Sequence, residues 1–319
     1  MQKRPTLHDV AKEAGVSHMT VSRVLRQEGG VREETRAKVE EAIAKTGYRP
    51  DPALSALAAY RNQGSMQGEG STLAFLDCDK STFSQEVFEG VQTEARLHGY
   101  MTEIHKLPPS IVGQKKMNHV LFNRGVRGLL FGPSDDELEF RGWDWPNYAS
   151  VSLGALQHRP VMHAVAMNYF DGAFSGCRML QQQGCKRIGF AIEPKLEART
   201  NHQWLGGYAA AMSCQKLRIY RGTWPAGPTF KRWVTREKLD GLLAIQAGLS
   251  DQLTSHKTTI VLLNDYDSKQ LDRMTHLRLD RARLGAEGVR FLHHLLLRRE
   301  YGIPEQPHTV ALRGSWVIR

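Results

Sequence analysis

The chain has 319 residues, of which 41% are hydrophobic and 24% charged, a balance that excludes collagen-like and intrinsically disordered proteins. Lys and Arg outnumber Asp and Glu by 43 to 33, giving a formal net charge of +10, which suits a polyanionic partner. The length predicts about two domains, and no apolar run reaches the roughly 18 residues that a membrane-spanning helix needs.

The first fifty residues predict three short helices. Thr6 and Asp9 can form a capping box at the start of the first helix, and Gly15 can end it in a left-handed conformation. Ser17 can then cap a second helix, and a third ends at Gly47. A second helix that begins within three residues of a glycine turn is typical of helix-turn-helix domains. A plain three-helix bundle with a polar face would share this spacing.

Five stretches in this region carry a resemblance to a known family. Residues 6–11, 15–17, 20–25, 35–39 and 47–50 closely resemble the DNA-binding head of the LacI/GalR family of bacterial repressors. The resemblance implies a cytoplasmic, nucleoid-associated transcriptional regulator that acts as a repressor. It also implies a homodimer that binds a palindromic operator in double-stranded DNA.

The second helix presents the side chains that, by this resemblance, read base edges. Arg23 can pair with guanine through two hydrogen bonds, His18 can form one, and Met19 offers apolar contact. Hydroxyl side chains are implied to bind phosphates, which sets the register without reading sequence. These implied phosphate contacts are Thr6, Ser17, Thr20, Ser22 and Thr35.

Residues 51–70 are a candidate hinge and linker. Asp51 can cap an alanine-rich helix over residues 53–60 that is too short to be stable alone, and a segment of linker composition follows. The resemblance implies that this helix orders in the minor groove as a dimer, with Leu57 wedged between base pairs. Leu54, one turn away, could extend the contact between the two hinge helices. A plain linker helix is the alternative.

Predicted strands and helices alternate over residues 71–319, which indicates parallel sheets covered by helices. Strands are predicted at residues 72–76, 101–107, 126–131, 148–153, 164–167, 187–192, 242–245 and 258–263, and helices at 85–98 and 283–301. Residues 273–319 carry nine Arg and four acidic residues, which we interpret as a solvated or subunit-facing surface.

The expected fold class is therefore an all-α helix-turn-helix head over residues 1–50, joined by the hinge to an α/β domain. The resemblance implies that this domain has the two-lobed, periplasmic-binding-protein-like type I fold. In this fold a ligand cleft lies at the carboxyl ends of the strands, as in open α/β sheets generally.

Candidate cleft residues mostly follow predicted strands. They are Asp77, Phe83, Ser134, Asp135, Asn168, Phe170, Asp171, Trp204 and Asp265. Carboxylates and aromatic rings suit a small, carbohydrate-like effector. However, polar residues after strands are common in loops, and Trp204 stands where the family commonly has an Arg that grips ligand hydroxyls. A degenerate pocket that responds to no ligand is therefore an open alternative.

Catalytic and metal-binding motifs such as GxSxG, the P-loop and HExxH are absent from the sequence. The four cysteines form no CxxC pair and are expected to be reduced thiols. His293 and His294 are neighbours on a predicted helix and point about 100° apart. We therefore expect no enzyme, no metal site and no cofactor. A soluble solute-binding receptor is a further alternative, disfavoured by the complete head and the lack of a signal sequence.

Overall fold

The computed structural model describes residues 5–25, 31–48, 72–78, 82–134, 136–154, 158–224, 226–249, 251–253, 257–265 and 271–319. The chain divides into two compact units, Met1–Gln67 and Gly68–Arg319, which we consider separately. The predicted hinge contacts Leu54 and Leu57 and the candidate cleft residue Asp135 lie outside the described residues.

Three helices make up the described part of the first unit: α1 (Leu7–Ala14), α2 (His18–Leu25) and α3 (Glu33–Thr46). Their apolar faces meet in one small core. The buried core residues are Val10, Ala11, Val21, Val24, Val39 and Ala42. These are apolar positions at helical spacing in the sequence, so the predicted three-helix head is confirmed.

Both ends of α1 have the predicted caps. The Asp9 amide donates to the Thr6 hydroxyl at 3.4 Å, and the Thr6 amide donates to the Asp9 carboxylate at 2.8 Å. Gly15 ends the helix with a φ of 67°, a conformation open to glycine without steric cost. The Thr20 amide then donates to Ser17 Oγ at 3.1 Å, so Ser17 caps α2. These local contacts set the connection between the two helices.

The second unit contains two sheets, each with six strands within the described residues. The first sheet has the order β2-β1-β3-β4-β5-β11, and its strands are β1 (Thr72–Asp77), β2 (Met101–Lys106), β3 (Gly128–Phe131), β4 (Ala149–Leu153), β5 (His163–Met167) and β11 (Thr309–Leu312). The second has the order β7-β6-β8-β9-β10-β12, and its strands are β6 (Ile188–Ala191), β7 (Arg218–Ile219), β8 (Gly241–Ala244), β9 (Thr259–Leu262), β10 (Thr275–Arg278) and β12 (Ser315–Val317). Pairing is parallel except between β10 and β12.

Helices cover both sheets. They are α4 (Thr82–Leu97), α5 (Ile111–Asn123), α6 (Tyr169–Gln182), α7 (Pro194–Arg199), α8 (Gln203–Ala211), α9 (Pro228–Glu237) and α10 (Arg281–Arg298). Helices α4 and α10 pack together over the first sheet, and α6 and α8 over the second. We call the first sheet with α4, α5 and α10 the first lobe, and the second sheet with α6 to α9 the second lobe. None of the described helices is long and apolar enough to cross a membrane.

All eight predicted strands are present with ends shifted by one or two residues, whereas β7, β10, β11 and β12 were not predicted. Eight of the nine arginines in residues 273–319 are exposed, in agreement with the predicted surface, and Arg281 is the exception at 7% exposed. The segment also supplies β10, α10, β11 and β12, so it builds part of both lobes.

The chain crosses between the lobes three times, after β5, β10 and β11. Two of the crossings are bonded to each other. The Asn168 amide donates to the Leu312 carbonyl at 2.7 Å, and Arg313 Nε lies 3.7 Å from an Asp171 carboxylate oxygen. The lobes are thus joined by adjacent segments, at which a rotation of one lobe on the other would have to occur.

Candidate nucleic-acid interface and ligand cleft

The predicted base-reading residues lie on the exposed side of α2. Met19 is 63% exposed, and His18 and Arg23 are not buried, while Val21 and Val24 on the opposite side are. Burial of the valines in the core turns the polar arc of the helix outward. A helix that enters the major groove needs such an arc near its first turns.

The predicted phosphate contacts lie at or near helix starts. Thr6 and Ser17 cap α1 and α2, and the hydroxyls of Ser17 and Thr20 are 2.9 Å apart. Ser22 is half-buried on α2, and Thr35 is half-buried in the first turn of α3. The Thr6 hydroxyl already donates to Asp9 Oδ2 at 2.7 Å. A hydroxyl carries one proton, so this bond would have to break before Thr6 could donate to a phosphate oxygen.

His8 is a candidate that the sequence analysis missed. Its ring centroid lies 5.1 Å from that of His18, and both residues are exposed. The pair places a second imidazole beside the predicted reading surface. Nothing in the sequence indicated this role for His8, because the spacing of apolar residues in α1 identifies only the buried face of that helix.

Two predicted cleft residues from different lobes meet at Arg281, the first residue of α10. Arg281 Nη2 donates to Asp265 Oδ1 at 2.7 Å, and its guanidinium carbon lies 5.2 Å from the centre of the Phe83 ring. Arg281 Nη1 donates to Glu86 at 3.2 Å. The Asp265 carboxylate is therefore paired with a cation of its own chain.

Other predicted residues at strand ends form local contacts in the first lobe. Ser84 Oγ donates to Asp77 Oδ1 at 2.6 Å. Ser134 is buried and donates to the Asp136 carbonyl at 3.0 Å. Both interactions shape the loops after β1 and β3, so these polar side chains have a structural use independent of any ligand.

The predicted turn at residues 168–171 begins α6. The Asp171 amide donates to Asn168 Oδ1 at 3.0 Å, which caps the helix, while the Asp171 carboxylate faces Arg313. Phe170 is the exposed residue of this group, and its ring stacks on Phe174 with centroids 6.2 Å apart. Asn168 and Asp171 thus take part in the lobe crossing.

Trp204 lies in the core with 2% of its surface exposed. Its ring is 4.7 Å from the Tyr169 ring, and a Cβ added to Gly172 would approach the indole to 2.9 Å. The side chain is enclosed between α6 and α8. Ligand contact by Trp204 is therefore not supported, because packing accounts for the ring.

A cavity of about 370 Å³ lies at the carboxyl ends of β6 and β8 in the second lobe. Its lining includes Glu193, Trp224, Gln246 and Gln252. Trp224 Nε1 and Gln246 Oε1 are buried without a hydrogen-bond partner among the described residues. Leaving a buried donor or acceptor unpaired costs about 1–3 kcal/mol, so the two atoms are suited to a polar ligand.

The sequence analysis did not single out Trp224 or Gln246 as ligand contacts. Gln246 directly follows a predicted strand, and the rule that selected Asp77 and Asp265 would have found it. Trp224 follows β7, which has two residues and no detectable hydropathy pattern. The position of Trp224 beside β8 depends on tertiary structure.

His158 is a buried titratable residue of the first lobe. Burial lowers the pKa of its imidazole to about 4, and its Nδ1 lies 3.1 Å from Ser152 Oγ. The Phe140 ring packs edge-on against it at 4.9 Å. Among the described residues, no group of three His, Cys, Asp or Glu side chains could hold a metal ion. We interpret His158 as a neutral core residue.

The head matches a known family model. Residues 6–51 match the family described as "Bacterial regulatory proteins, lacI family". The chain belongs to the LacI family. The HTH-type transcriptional regulator RegA of Clostridium saccharobutylicum is 28% identical over 218 residues, 67% of this chain and 63% of RegA. Catabolite control protein A of Priestia megaterium is 30% identical over 223 residues, with the same coverage of both chains.

Solved structures agree on the fold of this LacI-family chain. The lac repressor dimer bound to operator and the anti-inducer ONPF has a TM-score of 0.59 at 20% identity and covers 99% of this chain and 98% of its own. The complex of the transcriptional regulator CelR with cellobiose has a TM-score of 0.55 at 19% identity and covers 99% of both chains. The predicted helix-turn-helix head and two-lobed, periplasmic-binding-protein-like domain are confirmed.

The LacI-family chain spans about three fifths of the length of the curated relatives it matches. RegA and CelR are named as transcriptional regulators, and the lac repressor as a repressor. These relatives are regulators and not enzymes, in agreement with the lack of catalytic motifs in the sequence.

Proposed function

We propose that this LacI-family chain is a sequence-specific DNA-binding regulator of transcription that acts in the cytoplasm as a repressor. The observation that carries the proposal is the outward-facing arc of His18, Met19 and Arg23 on the second helix of a helix-turn-helix head. Arg can read guanine through two hydrogen bonds in the major groove. His8, beside His18, adds a further donor or acceptor to the same surface.

Selection of binding sites from a random duplex library tests this function. A single enriched motif with two inverted half-sites supports a dimeric regulator, because the symmetry of a dimer is matched by the symmetry of its operator. A library that shows no enrichment over its starting composition would contradict sequence-specific binding. The selected motif would then serve as the operator for measurements on variants.

We further propose that the second unit forms a homodimer. Strand β2 is an edge strand, and large apolar side chains are exposed on it and nearby, at Leu97, Met101, Ile104 and Val112. Exposed apolar patches on a sheet edge commonly mark a subunit interface. Analytical ultracentrifugation of Ile104→Glu tests the proposal, since a charge within the interface should yield monomers.

The effector that we propose is a small carbohydrate bound in the cavity of the second lobe. Trp224 supplies a ring face and a donor, and Gln246 supplies an acceptor, each without a partner among the described residues. Glu193 adds a carboxylate. This combination suits a molecule with several hydroxyls on an apolar ring. Titration calorimetry with a panel of sugars tests the proposal, and a panel without binding would favour a pocket that responds to no carbohydrate.

A further inference from the structure

The side chain of Arg281 connects the two lobes. Arg281 begins α10, which packs against α4 in the first lobe. One of its partners, Glu86, lies on α4, whereas the other, Asp265, follows β9 in the second lobe. The two N···O distances are 3.2 Å and 2.7 Å. The guanidinium therefore lies in the cleft between the sheets and bonds to both sides of it.

Burial makes this arrangement depend on both carboxylates. The side chains of Arg281 and Asp265 are 7% and 16% exposed. A buried guanidinium is stable only when carboxylates and a polarisable surface replace its hydration, and the Phe83 ring under it provides such a surface. Separating the lobes would remove Asp265 from Arg281 and leave the cation with one fewer carboxylate partner.

A second ion pair also crosses the cleft but is exposed. Lys195 Nζ on α7 lies 3.6 Å from Asp136 Oδ1 in the loop after β3, and both side chains are more than half exposed. Exposed pairs of this kind contribute little because water and salt screen them. Of these two ion pairs, the buried one is therefore expected to contribute more to closure of the cleft.

We propose that Arg281 acts as an internal latch: its ion pairs with Glu86 of the first lobe and Asp265 of the second hold the cleft closed. The two lobes then stay together with no ligand bound. An effector in the cavity of the second lobe does not need to bridge the lobes, because the chain already supplies the bridging group. The latch is a property of the second unit and holds whether or not the head binds DNA.

Chemical rescue of Arg281→Ala in the full chain tests the latch. The variant removes the cation to which both Glu86 and Asp265 are bonded, so the cleft should open. Hydrogen exchange of residues 82–86 and 259–265 should accelerate at least tenfold. Millimolar guanidinium chloride, too dilute to unfold the protein, should restore slow exchange, whereas urea at the same concentration should not.

Arg290→Ala is the matched control. Arg290 lies on the same helix and donates to Glu94 of α4 at 2.9 Å, so its ion pair stays within the first lobe. Removing it should leave exchange at the cleft unchanged, with or without guanidinium. If Arg281→Ala and Arg290→Ala behave alike at the cleft, the latch does not exist.

Asp265→Asn keeps the inference testable if Arg281→Ala does not fold. This change removes the charge of the second-lobe partner but preserves its shape, while Glu86 still compensates Arg281. Faster exchange confined to residues 82–86 and 259–265 would support the latch. Unchanged exchange, or faster exchange throughout the second unit, would overturn it, because the pair would then have no effect or would only stabilise the fold.

Discussion

Gly285 of α10 and Val87 of α4 are in direct backbone contact: a Cβ built on Gly285 would lie 2.0 Å from the Val87 carbonyl oxygen. One turn away, a Cβ on Gly90 would lie 1.8 Å from the Ala282 carbonyl oxygen. The two helices of the first lobe therefore approach each other through reciprocal glycines. This close packing positions Arg281, next to Ala282, over the cleft.

Gly285→Ala should therefore lower the free energy of unfolding by about 3 kcal/mol or more, because an added methyl cannot fit against a backbone carbonyl without moving the helices. Urea unfolding followed by circular dichroism measures the loss. Gly227→Ala is the control, since a Cβ there would have no atom within 4 Å among the described residues other than its chain neighbours. Equal effects of the two substitutions would contradict the close contact between α4 and α10.

Arg23→Ala should weaken binding to the selected operator by about 1–3 kcal/mol and to a scrambled duplex much less, because it removes a base contact and not a phosphate contact. Fluorescence anisotropy titrations on both duplexes give the ratio. Lys38→Ala is a suitable control, because Lys38 is exposed on α3 and paired with Glu34. An equal loss of affinity for both duplexes would mean that Arg23 does not read bases.

Leu57→Ala should weaken operator binding at least tenfold, or about 1.4 kcal/mol, and reduce the bend of the operator. The proposed wedge is lost, while alanine retains helix propensity. A circular-permutation bending assay measures the bend, and a gel shift measures affinity for operator and random duplexes. Unchanged bending would indicate that residues 53–60 are a plain linker.

Gln246→Leu should have opposite effects on binding and on stability. It removes an acceptor proposed for the ligand and so should abolish sugar binding in calorimetry. In the unliganded protein it should raise the free energy of unfolding by about 1 kcal/mol, because a buried unpaired oxygen disappears. Gln114→Leu provides the contrast and should destabilise, since Gln114 bonds to the Pro108 carbonyl and to Trp143 Nε1. Loss of stability in both variants would argue against a ligand site at Gln246.

His158 should make stability depend on pH between about 6.5 and 4. Burial lowers the pKa of His158 from 6.5 to about 4, so in this window the unfolded chain binds a proton that the folded chain does not. The contribution of His158 is therefore complete above the unfolded pKa, falls by up to about 3 kcal/mol as the pH decreases to about 4, and changes no further below it. Urea unfolding of the protein and of His158→Gln across this range measures the slope, which should be smaller in the variant. Parallel slopes would mean that other groups cause the pH dependence.

Local patterns predicted much of the fold. The capping box of α1, the left-handed Gly15 and the eight apolar strands follow from residues close to one another in sequence. The strands that were missed are short and lie at or near sheet edges. In β11, for example, the apolar run is only three residues long, at 310–312, and three of the strand's four residues are exposed.

The cleft was harder to predict because its contacts are distant in sequence. Arg281 and Glu86 are 195 residues apart, so no local pattern predicts their contact. Asp265 is only 16 residues from Arg281, but β10 lies between them, and the sequence suggested an open carboxylate where the structure has an ion pair. Trp204 was selected by alignment with an Arg of the family. The adjacent Gly172 leaves room for its ring in the core, and that space is visible only once α6 and α8 are packed together.

The edge strands β11 and β12 are separated by two residues in sequence and complete different sheets. During synthesis, neither lobe can acquire these strands until the ribosome has translated residues 309–317. The three helices of the head, by contrast, are encoded within the first 46 residues and can fold while the lobes are still incomplete. A premature stop codon before residue 309 would therefore release a chain with a finished head and two lobes that each lack an edge.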